Sequence, residues 1–302
     1  MIATSKRLLS FIKKYVINVG KELYTVYSRN LKFKVGFTLF IAMIILGLFS
    51  LFSPPWYKSW YGIPKDKPPS LTSIHMLLGT SSNGRSIFWM ITNGILNSIV
   101  ISLITAVVAS HIGLFMGITA GVKGGLVDKL LMFITDSFIV IPGLPLLIVL
   151  TMLFKEYLTI PALGLMISIT SWPWPSRQVR AIVLSLRERD FMVTARLSGI
   201  GTGKIILTEM MPHLLGWHFI NATNTVLYAI ATEAGLAVVG LSILSEDTLG
   251  TIIYWALNYA ALYRGIWWWI VPPIIMLVAL FVSLYLISTG YTEYLNPRFR
   301  RR

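Results

Sequence analysis

With 302 residues, 55% of them hydrophobic and only 13% charged, the chain lacks the charge that a soluble domain needs to cover its surface. A formal charge of +14 does not point to nucleic acid, because no basic stripe interleaved with aromatics accompanies it. Without cysteine, disulfides, thiolate metal sites and a cysteine nucleophile are excluded.

The apolar residues fall in runs near the roughly 20 that cross a bilayer as helix. The pattern predicts an all-α integral membrane protein of about six transmembrane helices. Residues 1–34 form a basic segment with Lys6, Arg7, Lys13, Lys14, Lys21, Arg29, Lys32 and Lys34 against a single Glu22. The apolar residues between them fit an amphipathic helix on the membrane or a solvated tail equally well. The first span, 35–52, ends at Ser53-Pro54-Pro55 without a small-residue cleavage pattern, and so reads as a retained helix. Residues 53–86 are too polar to span and form an outer loop.

Residues 87–290 hold a five-helix core. Its first span, about 95–121, places Ser98, Ser102, Ala106, Ala109, Gly113 and Gly117 at spacings of three and four, a face on which helices approach closely in lipid. A glycine turn around Lys123 leads to a span at about 131–154. The next, about 162–185, is expected to kink at Trp172-Pro173-Trp174-Pro175. Spans at about 214–241 and 266–288 follow, and 291–302 is a basic tail. Of the 26 lysines and arginines, 20 fall on the side of the N-terminal cluster, so both termini are expected in the cytoplasm of a multi-pass plasma-membrane protein.

Residues 187–212 are polar and cannot sit in lipid. Ser198 to Ile205 looks at first like a phosphate loop, but Ser198 stands at the first glycine position and Ile205 follows Lys204 where Ser or Thr is required. The better reading is two short helices, Glu188 to Leu197 and Lys204 to Met211, broken across Gly199 to Gly203. Pro212 suits the first turn of the following helix. Such an element on the inner face is a docking surface.

This stretch resembles the cytoplasmic coupling motif of binding-protein-dependent ABC importer permeases, a Glu-Ala-Ala triplet, a glycine, an apolar residue and a Leu-Pro at fixed distance. With the glycine at Gly199, the triplet falls on Val193, Thr194 and Ala195, the following positions on Ile200 and Gly201, and the proline on Pro212. Val193 stands where the family has glutamate, Thr194 where it has alanine, and Met211 where it has leucine. The resemblance runs from His75 to Arg298 and is nearest to the second permease of dipeptide, oligopeptide and nickel importers. It includes Gly79 to Ser86, Ala120 to Gly125 with Asp128, Asp136 with Ile141-Pro142, Glu233 to Leu241, and Leu249 to Ile253.

The resemblance implies a type I ABC importer permease fold, with residues 187–212 coupling to a separate ATPase. It implies a second homologous permease, two ABC ATPases carrying ATP and magnesium, and an extracytoplasmic binding protein. No cofactor is implied in this chain. Peptides, nickel and oligosaccharides are all substrates within that group. An ion-gradient-driven secondary transporter is the alternative, disfavoured by the lack of an internal repeat. A membrane scaffold is a third possibility, one that leaves the intramembrane acids without a purpose.

Asp136 and Glu233 fall inside predicted spans, where an ionised side chain costs at least about 2.5 kcal/mol, so they are candidates for the translocation pathway or for structural polar contacts. His111 reads as a satisfied polar contact, His213 and His218 as interfacial, and Trp267 to Trp269 as an aromatic belt. No catalytic or metal-ligating set is present in the pattern, so the chain is not expected to be an enzyme.

Overall fold

The computed structural model describes residues 20–296. The basic residues before position 20, and the arginines of the tail from Arg298, lie outside the described residues. The architecture is all-α, with one isolated bridge, Thr80 to Ser86, as its only β pairing among the described residues. After a helix over 20–29 (α1) come α2 (Leu31–Leu48), α3 (Ile87–Lys123), α4 (Gly125–Val140), α5 (Gly143–Leu153), α6 (Ile160–Ser171) and α7 (Pro173–Arg187). Then follow α8 (Asp190–Leu197), α9 (Thr202–Ile205), a π turn (Ile206–Met210), α10 (Met211–Val238), α11 (Leu249–Asn258) and α12 (Trp267–Leu295).

Among the described residues, three helices are long and apolar enough to cross a membrane by themselves: α2 with its 3-10 extension, α3, and α12. A fourth crossing arises if α4 and α5 are taken together, but they meet at an angle of 84°. The single straight span expected at 131–154 is therefore broken. Proline lacks an N–H and disfavours helical backbone before it, and both Ile141 and Pro142 are extended. The expected kink at Trp172-Pro173 is present as the junction of α6 and α7. The 28-residue α10 is long enough but interrupted by polar side chains, and α11 is a short helix packed between the last two long ones.

α3 is the central pole, about 55 Å long at 1.5 Å per residue, and it touches α2, α4, α6, α7, α10 and α11. Its small-residue face receives α7. A Cβ added at Gly113, Gly117 or Gly121 would stand 2.6 Å from an atom of Pro175, Ser176 or Val183 respectively. Higher on the same pole, Gly164 of α6 lies against the Ile101 carbonyl, and Thr105 donates to the Gly164 carbonyl at 2.8 Å. Glycine also lets α2 meet α12, through Gly36 and Gly290. That pair is fastened at one end by Asn30, which caps α2 and donates to Glu293 at 3.1 Å, and by the Lys32–Glu293 ion pair.

The tight contact predicts an asymmetric response to one methyl group. Gly117→Ala is expected to cost about 1–3 kcal/mol by overpacking, read as a lower midpoint of thermal unfolding in detergent. Gly235→Ala, where the nearest atom is 3.8 Å away in the interior of α10, is expected to be neutral or slightly stabilising.

Candidate functional site

The helix that leads into the polar segment, α7, is held in place by its own charges. Arg180 grips Asp128 with two hydrogen bonds, at 2.5 and 2.6 Å. Arg187 donates to the Gly121 carbonyl at 2.7 Å, and Arg177 pairs with Asp136. The three arginines bind α7 to the α3–α4 turn, whose reversal uses the positive φ of Gly124 and Gly125. Asp136, a candidate pathway residue, is thus half-exposed and engaged by Arg177.

α8 lays Met192 and Ala195 on an apolar patch formed by Val179, Val183, Ile205, Met210 and Leu214. Its other side carries Val193, Thr194 and Leu197, all exposed, with Leu197 at 85%. The helix ends in a Schellman motif. Gly199 takes φ +73°, its N–H reaches the Arg196 carbonyl at 3.0 Å, and the Ile200 N–H reaches that of Ala195 at 3.3 Å. Ile200 then folds back towards the apolar patch. Gly201 is extended and leads into α9, and Pro212 sits exposed in the first turn of α10. Nothing lies within 4 Å of a Cβ placed on Gly199, Gly201 or Gly203, so this element stands free of the bundle.

Between α6–α7 and α10 lies a cavity of about 290 Å³ bordered by Thr170, Ser171, Asn221, Asn224, Thr225 and Tyr228. The Asn221 Nδ2 is buried and unpartnered. Reading the sequence for charges alone misses this face. Its signal is the 221, 224, 225, 228 spacing of polar residues along one side of an otherwise apolar helix.

Glu233 lies one to two turns beyond that face and is fully buried. Its Oε1 accepts from Thr248 at 2.6 Å and Ser242 at 2.9 Å, while Oε2 has no hydrogen-bond partner. The carboxyl therefore ties α10 to the turn before α11. Gly250 packs directly beneath it, where a Cβ would stand 2.7 Å from Ala237. His111 and His218 meet edge to face at 4.9 Å between α3 and α10, while His213 lies beside Phe191 of α8. The three tryptophans of the expected belt separate: Trp267 is exposed, Trp268 donates to the Thr80 carbonyl at 3.2 Å, and Trp269 is wholly buried.

At the opposite end from α8, residues 53–86 form a cap over the α10–α11 turn. Arg85 meets Asp247 at 2.5 Å with both side chains nearly inaccessible, and its Nε donates to the Tyr57 carbonyl at 3.1 Å. Burial drives the Asp247 carboxyl upward, and the Arg85 guanidinium is the chief opposing influence. Asn97 of α3 donates to the Asp247 carbonyl at 2.8 Å, Lys58 pairs with Glu246 at 2.8 Å, and Arg264 pairs with Asp66 at 2.6 Å.

Residues 113–301 match the family described as "Binding-protein-dependent transport system inner membrane component". The oligopeptide transport system permease protein OppC of Mycobacterium tuberculosis (strain CDC 1551 / Oshkosh) is 32% identical over 177 residues, 58% of this chain and 60% of that protein. The chain thus spans less than two thirds of that relative's length. OppC of Bacillus subtilis (strain 168) is 27% identical over 292 residues, covering 96% of this chain and 93% of the relative. Among solved structures, an inward-facing MetNI methionine ABC transporter matches 68% of this chain and 94% of its own at TM-score 0.52 and 20% identity, which establishes the shared fold.

The buried pair in the cap yields a prediction. Arg85→Ala strands a buried carboxylate and is expected to lower stability by about 3–5 kcal/mol. Arg85→Met combined with Asp247→Leu is expected to recover at least half of that loss. Unfolding midpoints of the two variants in one detergent provide the comparison.

Proposed function

The chain belongs to the binding-protein-dependent transport system inner membrane component family, and from that premise we propose that it is the permease subunit of an ATP-driven importer of peptides. It would lie in the plasma membrane with both termini cytoplasmic, and form half of the translocation pathway beside a second homologous permease. Two ABC ATPases would hydrolyse ATP with magnesium, and an extracytoplasmic binding protein would deliver the substrate. This chain would be no enzyme itself.

The observation that carries the reading is the α8 element, a helix end with an exposed apolar and neutral face, fixed to α7 on one side and free on the other. On this reading residues 187–212 are the coupling segment. Val193, Thr194 and Ala195 form the first part of the contact, with Ala195 turned to the bundle. Gly199, Ile200 and Gly201 supply the bend, and Pro212 starts the helix that transmits the motion. A shift of α8 is passed through α9 and the π turn into α10, whose Asn221–Tyr228 face borders the cavity. That face is the proposed pathway. Its neutral amide and hydroxyl groups suit a peptide backbone, which offers donors and acceptors without requiring charge. Asp136 and Glu233 are proposed to act on the walls of this pathway, the first through Arg177 and the second through the turn before α11.

Gly199 provides the test. A β-branched residue at φ +73° is strained by about 1–2 kcal/mol even though the space around it is open, whereas asparagine tolerates that region. Gly199→Val is expected to assemble with its partner subunits but to lose most substrate-stimulated ATP hydrolysis, and Gly199→Asn to keep most of it. Full stimulation in Gly199→Val would overturn the coupling role. Co-purification from native membranes without any P-loop ATPase would overturn the importer reading as a whole.

A further inference from the structure

We propose that the outer face of α3 holds an anionic phospholipid, with an acyl chain lying along the helix and the phosphate at Lys123. Leu103, Val107, His111, Phe115, Thr119 and Lys123 recur every four residues and so form one ridge along α3. The first three line a cavity of about 270 Å³ walled by α2, α10 and α12. The last three line a second, of about 550 Å³, walled by α9, the π turn and the start of α10. His111 borders both, and on this proposal the lipid occupies the two in succession along about 30 Å of helix.

Apart from His218, whose buried Nδ1 has no partner among the described residues, most polar side chains lining the two cavities bond carbonyls of their own helices. The His111 Nδ1 lies 2.8 Å from the Val107 carbonyl, Thr119 donates to Phe115 at 2.7 Å, and Thr223 donates to Phe219 at 2.9 Å. What remains is apolar, with Leu103, Val107 and Phe115 all exposed. At the α8 end the chemistry changes. Lys123 is exposed there and makes no ion pair among the described residues, and neither does Lys204 on adjacent α9. Arg187 adds a third positive charge where its Nη1 meets the Gly121 carbonyl.

An apolar trough in a membrane-spanning surface is filled by hydrocarbon, and a cation at its mouth selects an amphiphile that carries an anion. A zwitterionic lipid gains less at such a mouth, and a free phosphate gains nothing from the trough. A lipid held there touches Thr202, Ile206 and Leu207 as well as α3, so it braces the joint between α9 and α10. The site does not depend on which solute is carried.

The test is thermal unfolding of the full chain, purified in neutral detergent together with any subunits that accompany it. Phosphatidylglycerol, phosphatidylcholine or inorganic phosphate is added in separate arms. Phosphatidylglycerol is expected to raise the midpoint by several degrees and the other two by less than a third as much. Lys123→Gln, a surface change, and Val107→Trp, which fills the trough, should each at least halve that shift. Equal stabilisation by phosphatidylcholine, reproduction of the shift by phosphate alone, or full retention of the shift in both variants would overturn the site. So would efficient dimer formation by Val107→Cys in this otherwise cysteine-free chain, because a second copy would then occupy the face.

Discussion

Everything at the α8 end hangs on how closely α7 can approach α3. Inside a bilayer no hydrophobic force drives one helix onto another, and association depends on packing and on hydrogen bonds. Gly113, Gly117 and Gly121 leave one strip of α3 without side chains over about two turns, and α7 lies in the channel that results. The buried side chains of Val179 and Val183 lie directly against this face, and the Ser176 carbonyl stands 2.6 Å from a Cβ placed on Gly117. Once α7 is fixed, the apolar patch beneath α8 is fixed too, because Val179 and Val183 form its floor. The glycine channel therefore sets where an exposed element about seventy residues further along the chain can stand.

Charge then secures what packing has positioned. Three arginines on α7 each find a different acceptor on the α3–α4 side: Asp136, Asp128 and the Gly121 carbonyl. Arg180 is the best placed, two-pronged and partly buried, so its hold on Asp128 resists solvent more than the open Arg177–Asp136 pair does. At the far end the Arg85–Asp247 pair joins the cap to the turn between α10 and α11, with Asn97 linking the same turn to α3. The long helices are thus clasped at both ends, while the middle of α10 faces a cavity with neutral polar groups.

The fold class and the family were legible because both are written locally. Apolar runs of about twenty residues announce membrane helices, and the glycine, proline and small-residue spacings of 193–212 are a property of one segment. Even the physical reason for Gly199 was half visible: a break was evident from composition, although its identity as a Schellman end needed the Ile200 N–H to Ala195 carbonyl bond. Pairings across the chain were not legible. Asp136 read as a lone intramembrane acid, but its partner Arg177 lies 41 positions away on another helix. Asp247 drew no attention at all, since its partner Arg85 is 162 positions distant. The break at Pro142 was under-read for a different reason. Proline is tolerated inside membrane helices, as Pro272 and Pro273 show within α12, so its presence alone does not distinguish a kink from an 84° turn.

The outward face of α8 also bears on how coupling would work in this chain. Where the related motif has a glutamate and an alanine, this segment presents Val193 and Thr194, and Leu197 projects beside them. Asp190 stands on the same face at its N-terminal end, three and four positions before Val193 and Thr194, while Arg196 lies to one side. On the reading proposed above, the contact with an ATPase would then rest mainly on burial of apolar area, at about 25 cal/mol per Å², rather than on an ion pair. Burial is non-directional and tolerates sliding, whereas a buried pair is broken by small displacements. Directionality would have to come from the shape of the element instead, and that shape is the turn at Gly199. With an apolar face to grip and one fixed bend to orient it, geometry would replace charge as the means of transmission.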